Sequence, residues 1–299
     1  MKIAVPDLIS NSYFPAVTAV HGGMLAARGI DASVDLIFPV NKAYEALRDG
    51  TVDAVAGSAH SALHAFPEWQ GVKLLCAQGQ GMYWFLVMRA DIPCERGDVN
   101  VVKGRTIGAA PWVDLGLRGL LRAAGIDEKR DNVTIAPVPN TGAPSTNFGL
   151  TAAKALQDGL IDGFWANGMG AEVAVRSGAG KIVLDIRRGD GPKPAFNFTM
   201  ASVAVTDKFL AERPDEAKAL KLAIGDAHQA LKQNIALATD IGRKIFPAEQ
   251  AELIAGIVER DLPYYSTDIS PDFVKGMNAF GRDVGILKGD PAYEAVVAR

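Results

Sequence analysis

The sequence predicts an α/β protein of two lobes, each a mostly parallel sheet flanked by helices, with a helical tail at the C-terminal end. Three observations carry this prediction. The chain repeats itself: Ala46-Leu47-Arg48-Asp49-Gly50-Thr51-Val52-Asp53 has a counterpart in Ala155-Leu156-Gln157-Asp158-Gly159-Leu160-Ile161-Asp162, and Leu25–Asp31 is echoed by Leu121–Asp127. Self-similarity of this kind marks repeated supersecondary units. Strand and helix patterns alternate within both copies, which signals βαβ units and parallel pairing. Finally, 299 residues exceed the comfortable size of one hydrophobic core.

Each copy opens on a short apolar strand, Lys2 to Val5 or Thr106 to Ala109. An apolar-periodic helix follows, Pro15 to Arg28 or Asp114 to Ala124. It ends at Gly29 or Gly125, where glycine takes a left-handed C-cap at no steric cost. The second strand is Val34 to Val40 or Val133 to Val138. A short helix stopped by Gly50 or Gly159 leads to the third strand, Val52 to Ala56 or Ile161 to Ala166. The long apolar stretches Met82 to Met88 and Phe196 to Val205 read as crossings between the lobes. Pro214 suits the first turn of a helix running to about Phe246. Further helices are expected over 247–262, 271–287 and 291–299. These helices need a surface on which to bury their apolar faces, and the first lobe is expected to supply it. Lobe one is thus 1–88 and 200–299, and lobe two is 89–199.

Composition narrows the function classes. At 48% hydrophobic and 22% charged residues the chain is globular rather than disordered. A net charge of -3 argues against a nucleic-acid partner, whose phosphates favour a basic face. No stretch approaches the ~20 apolar residues of a membrane span. Met1 to Val5 run straight into a turn at Pro6-Asp7, without the pattern of an export signal. Two expectations follow: a mature periplasmic chain whose signal has been removed, or a cytoplasmic chain. Cys76, inside an apolar run, and Cys94, after Pro93, read as free thiols.

The chain resembles the type II solute-binding proteins of ABC importers, in the NMT1/THI5-like branch of sulfonate, taurine, nitrate and thiamine-precursor receptors. The matching pieces are Ala27-Arg28-Gly29-Ile30-Asp31, Ala46 to Asp53, Val102-Lys103-Gly104-Arg105-Thr106-Ile107-Gly108, and Ala211-Glu212-Arg213-Pro214. The resemblance implies a two-lobed periplasmic-binding-protein type II fold and a small-molecule ligand in the inter-lobe cleft. It also implies periplasmic residence, an ABC permease as partner, and a monomer.

In open α/β sheets, ligands bind beyond the carboxyl ends of the strands. The rule selects Asp7–Tyr13, Phe38–Asn41, Ser58–His60 and Gln78–Tyr83 in lobe one. In lobe two it selects Pro111–Asp114, Pro139–Thr141, Ala166–Met169 and the returning segment around Asn197. The candidate ligand contacts are therefore Ser10, Asn11, Tyr13, Phe38, Asn41, Ser58, His60, Gln80, Tyr83, Trp112, Asp114, Asn140, Thr141, Asn167 and Asn197. Strand alternation puts Tyr83 and Trp84 on opposite faces, which leaves Trp84 for the core. Ser58 could touch ligand or cap its own helix, and Asp114 reads rather as a cap. His60 and His64 have an i, i+4 metal-ligand spacing but no third ligand, so no metal is expected. Arg187-Arg188 reads as a solvated loop, or as a pair that reaches an anionic ligand at the cleft rim. No Gly-x-Ser-x-Gly, His-Glu-x-x-His or Walker pattern occurs, so neither a cofactor nor a catalytic residue is assigned.

The expected function is capture of a small organic ligand by hinge closure, an aromatic or heteroaromatic acid first and a sulfonate next. The alternative is an enzyme on the same fold, a lyase, decarboxylase or pyrimidine-precursor synthase, with His60 and Asp114 as its acid–base pair.

Overall fold

The computed structural model describes residues 1–138 and 147–299. Two five-stranded sheets form, and they share one topology. The first contains β1 (Lys2–Val5), β2 (Ser33–Leu36), β3 (Ala54–Ser58), β4 (Val72–Gly79) and β10 (Ala201–Thr206), in the order β2-β1-β3-β10-β4. The second contains β5 (Phe85–Arg89), β6 (Thr106–Ala109), β7 (Thr134–Ala136), β8 (Gly163–Ala166) and β9 (Gly180–Asp185), in the order β7-β6-β8-β5-β9. β1 pairs in parallel with β2 and β3, and β6 with β7 and β8. The fourth place in each sheet is an antiparallel strand, β10 between β3 and β4, and β5 between β8 and β9. The predicted two-lobed α/β architecture is present.

That pairing corrects the expected crossings. Phe85–Arg89 bonds on both edges within the second sheet, so the chain changes lobe before Phe85 rather than after Met88. On the return, Lys193–Asn197 is a 3₁₀ turn and the strand begins only at Ala201.

The helices are α1 (Phe14–His21), α2 (Val40–Arg48), α3 (Val113–Ala123), α4 (Phe148–Gln157), α5 (Gly168–Arg176), α6 (Asp207–Glu212), α7 (Pro214–Gln233), α8 (Ala236–Ile245), α9 (Ala248–Asp261), α10 (Pro271–Asp283) and α11 (Tyr293–Val296). α1 is shorter than expected. Its chain turns at Gly22-Gly23, where Gly23 adopts φ 81°, and a 3₁₀ turn then carries it to Gly29. The long tail helix also breaks in two, because Asn234 is extended between α7 and α8.

Apolar faces meet as the periodicity requires. Leu220 and Ile224 of α7 and Ala16 and Ala19 of α1 cover one face of the first sheet, against Ile3, Val5 and Ala56. Tyr44 and Leu47 of α2 and Phe273 and Met277 of α10 cover the other, against Val55 and Leu74. The tail packs mainly on the first lobe, but it also touches the second, as where Phe280 of α10 lies against Gly119 of α3. α9 reaches over to α5 of the second lobe, where Arg260 lies 3.7 Å from Glu172. Cys76 and Cys94 are free thiols, and burial pushes Cys76 up to about 12. No helix among the described residues is long and apolar enough to cross a membrane.

Candidate functional site

The carboxyl ends of both sheets meet at a cavity of about 40 Å³. Pro6, Asp7, Tyr13, Phe38 and Val40 line it from the first lobe. Trp84, Ala110, Pro111, Val113, Phe148, Ala166 and Asn167 line it from the second lobe and its crossing segment. A ligand pocket normally measures roughly 300–1,000 Å³. Among the described residues the space between the lobes therefore has room for only a few water molecules. A larger depression of about 410 Å³ beside Trp112, Asp114 and Arg118 draws its lining from the second lobe and Ile286 alone, so it does not report on closure between the sheets.

Asp7 is the charged group of the cavity. It follows β1 through Pro6, and its Oδ1 accepts the Ile9 N–H at 2.9 Å, a local turn that short polar side chains favour. Asn147 and Asn167 each donate an amide N–H to its carboxylate across the lobe boundary. These asparagines are the N-caps of α4 and α5, taking the N–H groups of Leu150 at 2.9 Å and Met169 at 3.3 Å. One lobe's carboxylate thus sits at the positive ends of two helices of the other. Burial raises the Asp7 carboxyl to about 6, against the opposing pull of the Asn167, Ile9 and Asn147 hydrogen bonds.

Hydroxyls lie behind it. The Tyr13 and Tyr83 hydroxyls are 2.6 Å apart, the Ser58 and Ser61 hydroxyls also 2.6 Å, and Tyr44 donates to the Ser58 carbonyl at 3.0 Å. Burial raises the phenols of Tyr13, Tyr44 and Tyr83. The Phe38 and Phe148 rings, one from each lobe, stand 6.5 Å apart with 20° between their planes.

His60 makes a second link between lobes. Its Nε2 lies 2.9 Å from the Trp112 carbonyl and its Nδ1 3.0 Å from the Thr199 hydroxyl. A carbonyl only accepts, so Nε2 carries the hydrogen and Nδ1 accepts from Thr199. Burial lowers His60 to about 4, which keeps the ring neutral. Trp112 is held at φ 70°, a strained backbone for a bulky residue, and this presents its carbonyl to His60.

Tyr13, Phe38 and Asn167 of the predicted contacts line the cavity, with Tyr83 bonded to Tyr13. Others serve the scaffold. Ser10 accepts the Ser12 N–H within its own loop. Asn11 donates to Asp261, and its carbonyl accepts the Tyr265 hydroxyl at 2.5 Å. Asn41 lies in the first turn of α2, whose Val40 reaches the cavity instead. Ser58 caps nothing, because its hydroxyl is engaged by Ser61. Gln80 turns toward the tail and donates to the Asp268 carbonyl at 2.7 Å. Asp114 is not a cap; it lies in the first turn of α3 and binds Arg118 at 3.0 Å. Asn197 packs against Gly276 of α10. Asn140 and Thr141 lie outside the described residues.

Trp84 is core as expected, 2% exposed within the main hydrophobic cluster, and it also walls the cavity just before the strand that starts at Phe85. Tyr83 and Trp84 lie side by side, 4.9 Å between centroids. Arg187 is no solvated loop residue: its side chain is 1% exposed and binds Asp261 at 2.9 Å. Nor do His60 and His64 act together, since His64 bonds Glu45 at 2.7 Å.

Asn147 and Phe148 escape the sequence reading of the site, while Asp7 falls in a selected loop without being named as a contact and Trp84 is read only as core. Asn147 and Asn167 share one local signal, an asparagine directly before a helical run, and that signal could have paired them.

No protein-family model matches the chain, and no curated protein matches it. Solved structures do. A protein from Bordetella bronchiseptica RB50 aligns over 99% of this chain and 92% of its own, at 22% identity and a TM-score of 0.75. The alkanesulfonate-binding protein SsuA from Xanthomonas axonopodis pv. citri, solved with MOPS bound, aligns over 99% and 97%, at 14% identity and a TM-score of 0.70. The periplasmic aliphatic sulphonate binding protein SsuA from Escherichia coli aligns over 100% and 92%, at 14% identity and a TM-score of 0.69. With two matched sheets, a cleft at their carboxyl ends and these full-length superpositions, the chain has the two-lobed fold of the periplasmic binding proteins.

Proposed function

We propose that the protein is a solute-binding protein that captures one small organic molecule between its lobes and delivers it, unchanged, to an ABC-type permease. The observation that carries this reading is the cavity itself. Strand-end loops of both sheets wall it, and hydrogen bonds from Asn147 and Asn167 to Asp7 and from His60 to the Trp112 carbonyl draw the two walls together. A ligand that replaces these cross-lobe bonds favours the closed state by its contacts to both lobes. Delivery to a permease places the protein in the periplasm, acting as a monomer.

Tyr13, Phe38, Trp84 and Phe148 suit a ligand with a flat, largely apolar body. The enzyme alternative loses its nominated machinery. Both ring nitrogens of His60 are occupied, and Asp114 is bound to Arg118 rather than to His60.

Native mass spectrometry of the purified protein, followed by denaturing release, tests the reading. The expected result is one unmodified small molecule per chain. Release of a chemically altered form of an added ligand overturns it.

A further inference from the structure

The receptor reading leaves open the charge of the molecule received, and the cavity contains one group that bears on it. Asp7 is 8% exposed and lines the cavity. Among the described residues its hydrogen-bond partners are neutral: the Ile9 main-chain N–H and the side-chain amides of Asn147 and Asn167. Among the described residues no Lys, Arg or His pairs with it, and 139–146 contain none of these residues. Two cations lie behind the site, and both face carboxylates other than Asp7. Arg187, 5.5 Å from the centroid of the Tyr83 ring, binds Asp261 at 2.9 Å and the Gln80 carbonyl at 2.7 Å, while its buried Nη2 has no hydrogen-bond partner among the described residues. Arg260, beside Gly168, lies 3.7 Å from Glu172 and 3.9 Å from Asp261.

A carboxylate offers about four lone-pair sites. Among the described residues Ile9 and Asn147 use Oδ1 and Asn167 uses Oδ2, which leaves acceptor capacity on Oδ2. A buried anion without a counter-ion is costly, and an incoming cation removes that cost. The remaining walls favour the same sign of charge, since the faces of Tyr13, Phe38, Trp84 and Phe148 attract cations. An incoming carboxylate or sulfonate would instead meet Asp7 in a poorly solvated space. The near-parallel Phe38 and Phe148 rings, one from each lobe and 6.5 Å apart between centroids, offer aromatic surface to a flat body on either side.

We propose that the ligand is an organic cation, a flat aromatic or heteroaromatic body whose protonated amine or amidine is received by Asp7. This rests on the receptor reading and reverses the sign of charge that the sequence suggested.

Calorimetric titration with benzamidine, benzamide and benzoate tests it, because the three share one ring and differ in charge. At pH 7.5 benzamidine is expected to bind on the order of tenfold to a hundredfold more tightly than benzamide, with benzoate weakest. Asp7→Asn, which keeps the shape of the side chain, is expected to erase that margin while leaving benzamide binding in place. A second measurement needs no variant. The wild-type affinity for benzamidine, which stays a cation throughout, is expected to fall as pH drops below about 6, where Asp7 gains its proton. The other titratable groups facing Asp7 are the Tyr13 and Tyr83 phenols, neutral across this range because burial raises both. Benzoate binding as tightly as benzamidine, a preference retained in Asp7→Asn, or no binding of any of the three overturns the assignment. A neutral or anionic molecule released unmodified in native mass spectrometry overturns the assignment and leaves the receptor standing. An altered molecule overturns the receptor.

Discussion

The Nε2 of His60 lies 2.9 Å from the main-chain oxygen of Trp112, and that bond joins the first lobe to the second. The same ring is held at its other nitrogen by Thr199, beside the returning strand. His60 is therefore a neutral pin in the closed form, and its value depends on its staying neutral.

Acid should loosen the fold through this pin and through His228, which donates to the Gln78 carbonyl at 2.9 Å. Burial lowers both imidazoles to about 4, below the ordinary value of 6.5. The unfolded chain then binds protons that the folded one refuses. The stabilisation is fully present above pH 6.5 and is lost as pH falls toward 4, up to roughly 3 kcal/mol for each ring. Urea midpoints at pH 7.5 and 4.5 should show the drop, and His60→Gln should show a smaller one.

Asp7 should act in the opposite sense. Its folded carboxyl titrates at about 6 against an ordinary 3.8, so its charge destabilises the fold once pH rises through that range. Asp7→Asn is expected to raise stability at pH 7.5 by on the order of 2–3 kcal/mol and to leave it unchanged near pH 3.5. Thermal melts of both proteins at the two pH values check this. A gain in stability with a loss of binding is the trade expected of a functional residue.

Gly116 should control the shape of the cavity. A Cβ at this position would lie 2.7 Å from Cζ3 of Trp84, so Gly116→Ala forces the indole to move. Overpacking of this kind costs about 1–3 kcal/mol. Ligand affinity is expected to fall, with a shift in tryptophan emission, while far-ultraviolet circular dichroism stays unchanged.

The buried pair Arg187–Asp261 holds the second lobe to the last turn of α9, with both side chains 1% exposed. Asp261→Ala leaves a buried guanidinium without its counter-ion and is expected to cost about 3–5 kcal/mol. Replacing both, Arg187→Met with Asp261→Leu, should recover much of that loss. Chemical denaturation of the two singles and the double reads the coupling.

Fold and site differed in how far the sequence revealed them. The repeats were readable because local chemistry sets them: Gly29, Gly50, Gly125 and Gly159 all stop their helices with φ between 71° and 75°. The strand-end rule found Tyr13, Phe38 and Asn167 for the same reason, since it needs only element order. Asp7 was hidden because a proline-aspartate pair reads as an ordinary turn, and its partner Asn147 is 140 residues away. Gln80 turns to the Asp268 loop of the tail and Asn197 to Gly276 of α10, and no local pattern reveals which tail segment will cover a loop. Trp84 is core as alternation suggested, but the same ring also walls the cavity, which a strand pattern alone does not reveal.

The position of β10 has a consequence for how the molecule is made. Every strand of the second sheet lies in one unbroken stretch, from Phe85 to Asp185. The first sheet needs Ala201–Thr206 inserted between β3 and β4, which leave synthesis much earlier. At about 5–20 residues per second, β3 and β4 wait on the order of ten seconds on the ribosome with facing edges open. Open edges invite foreign strands, so whatever shields a nascent chain matters most to its N-terminal third. The half born first is the half finished last.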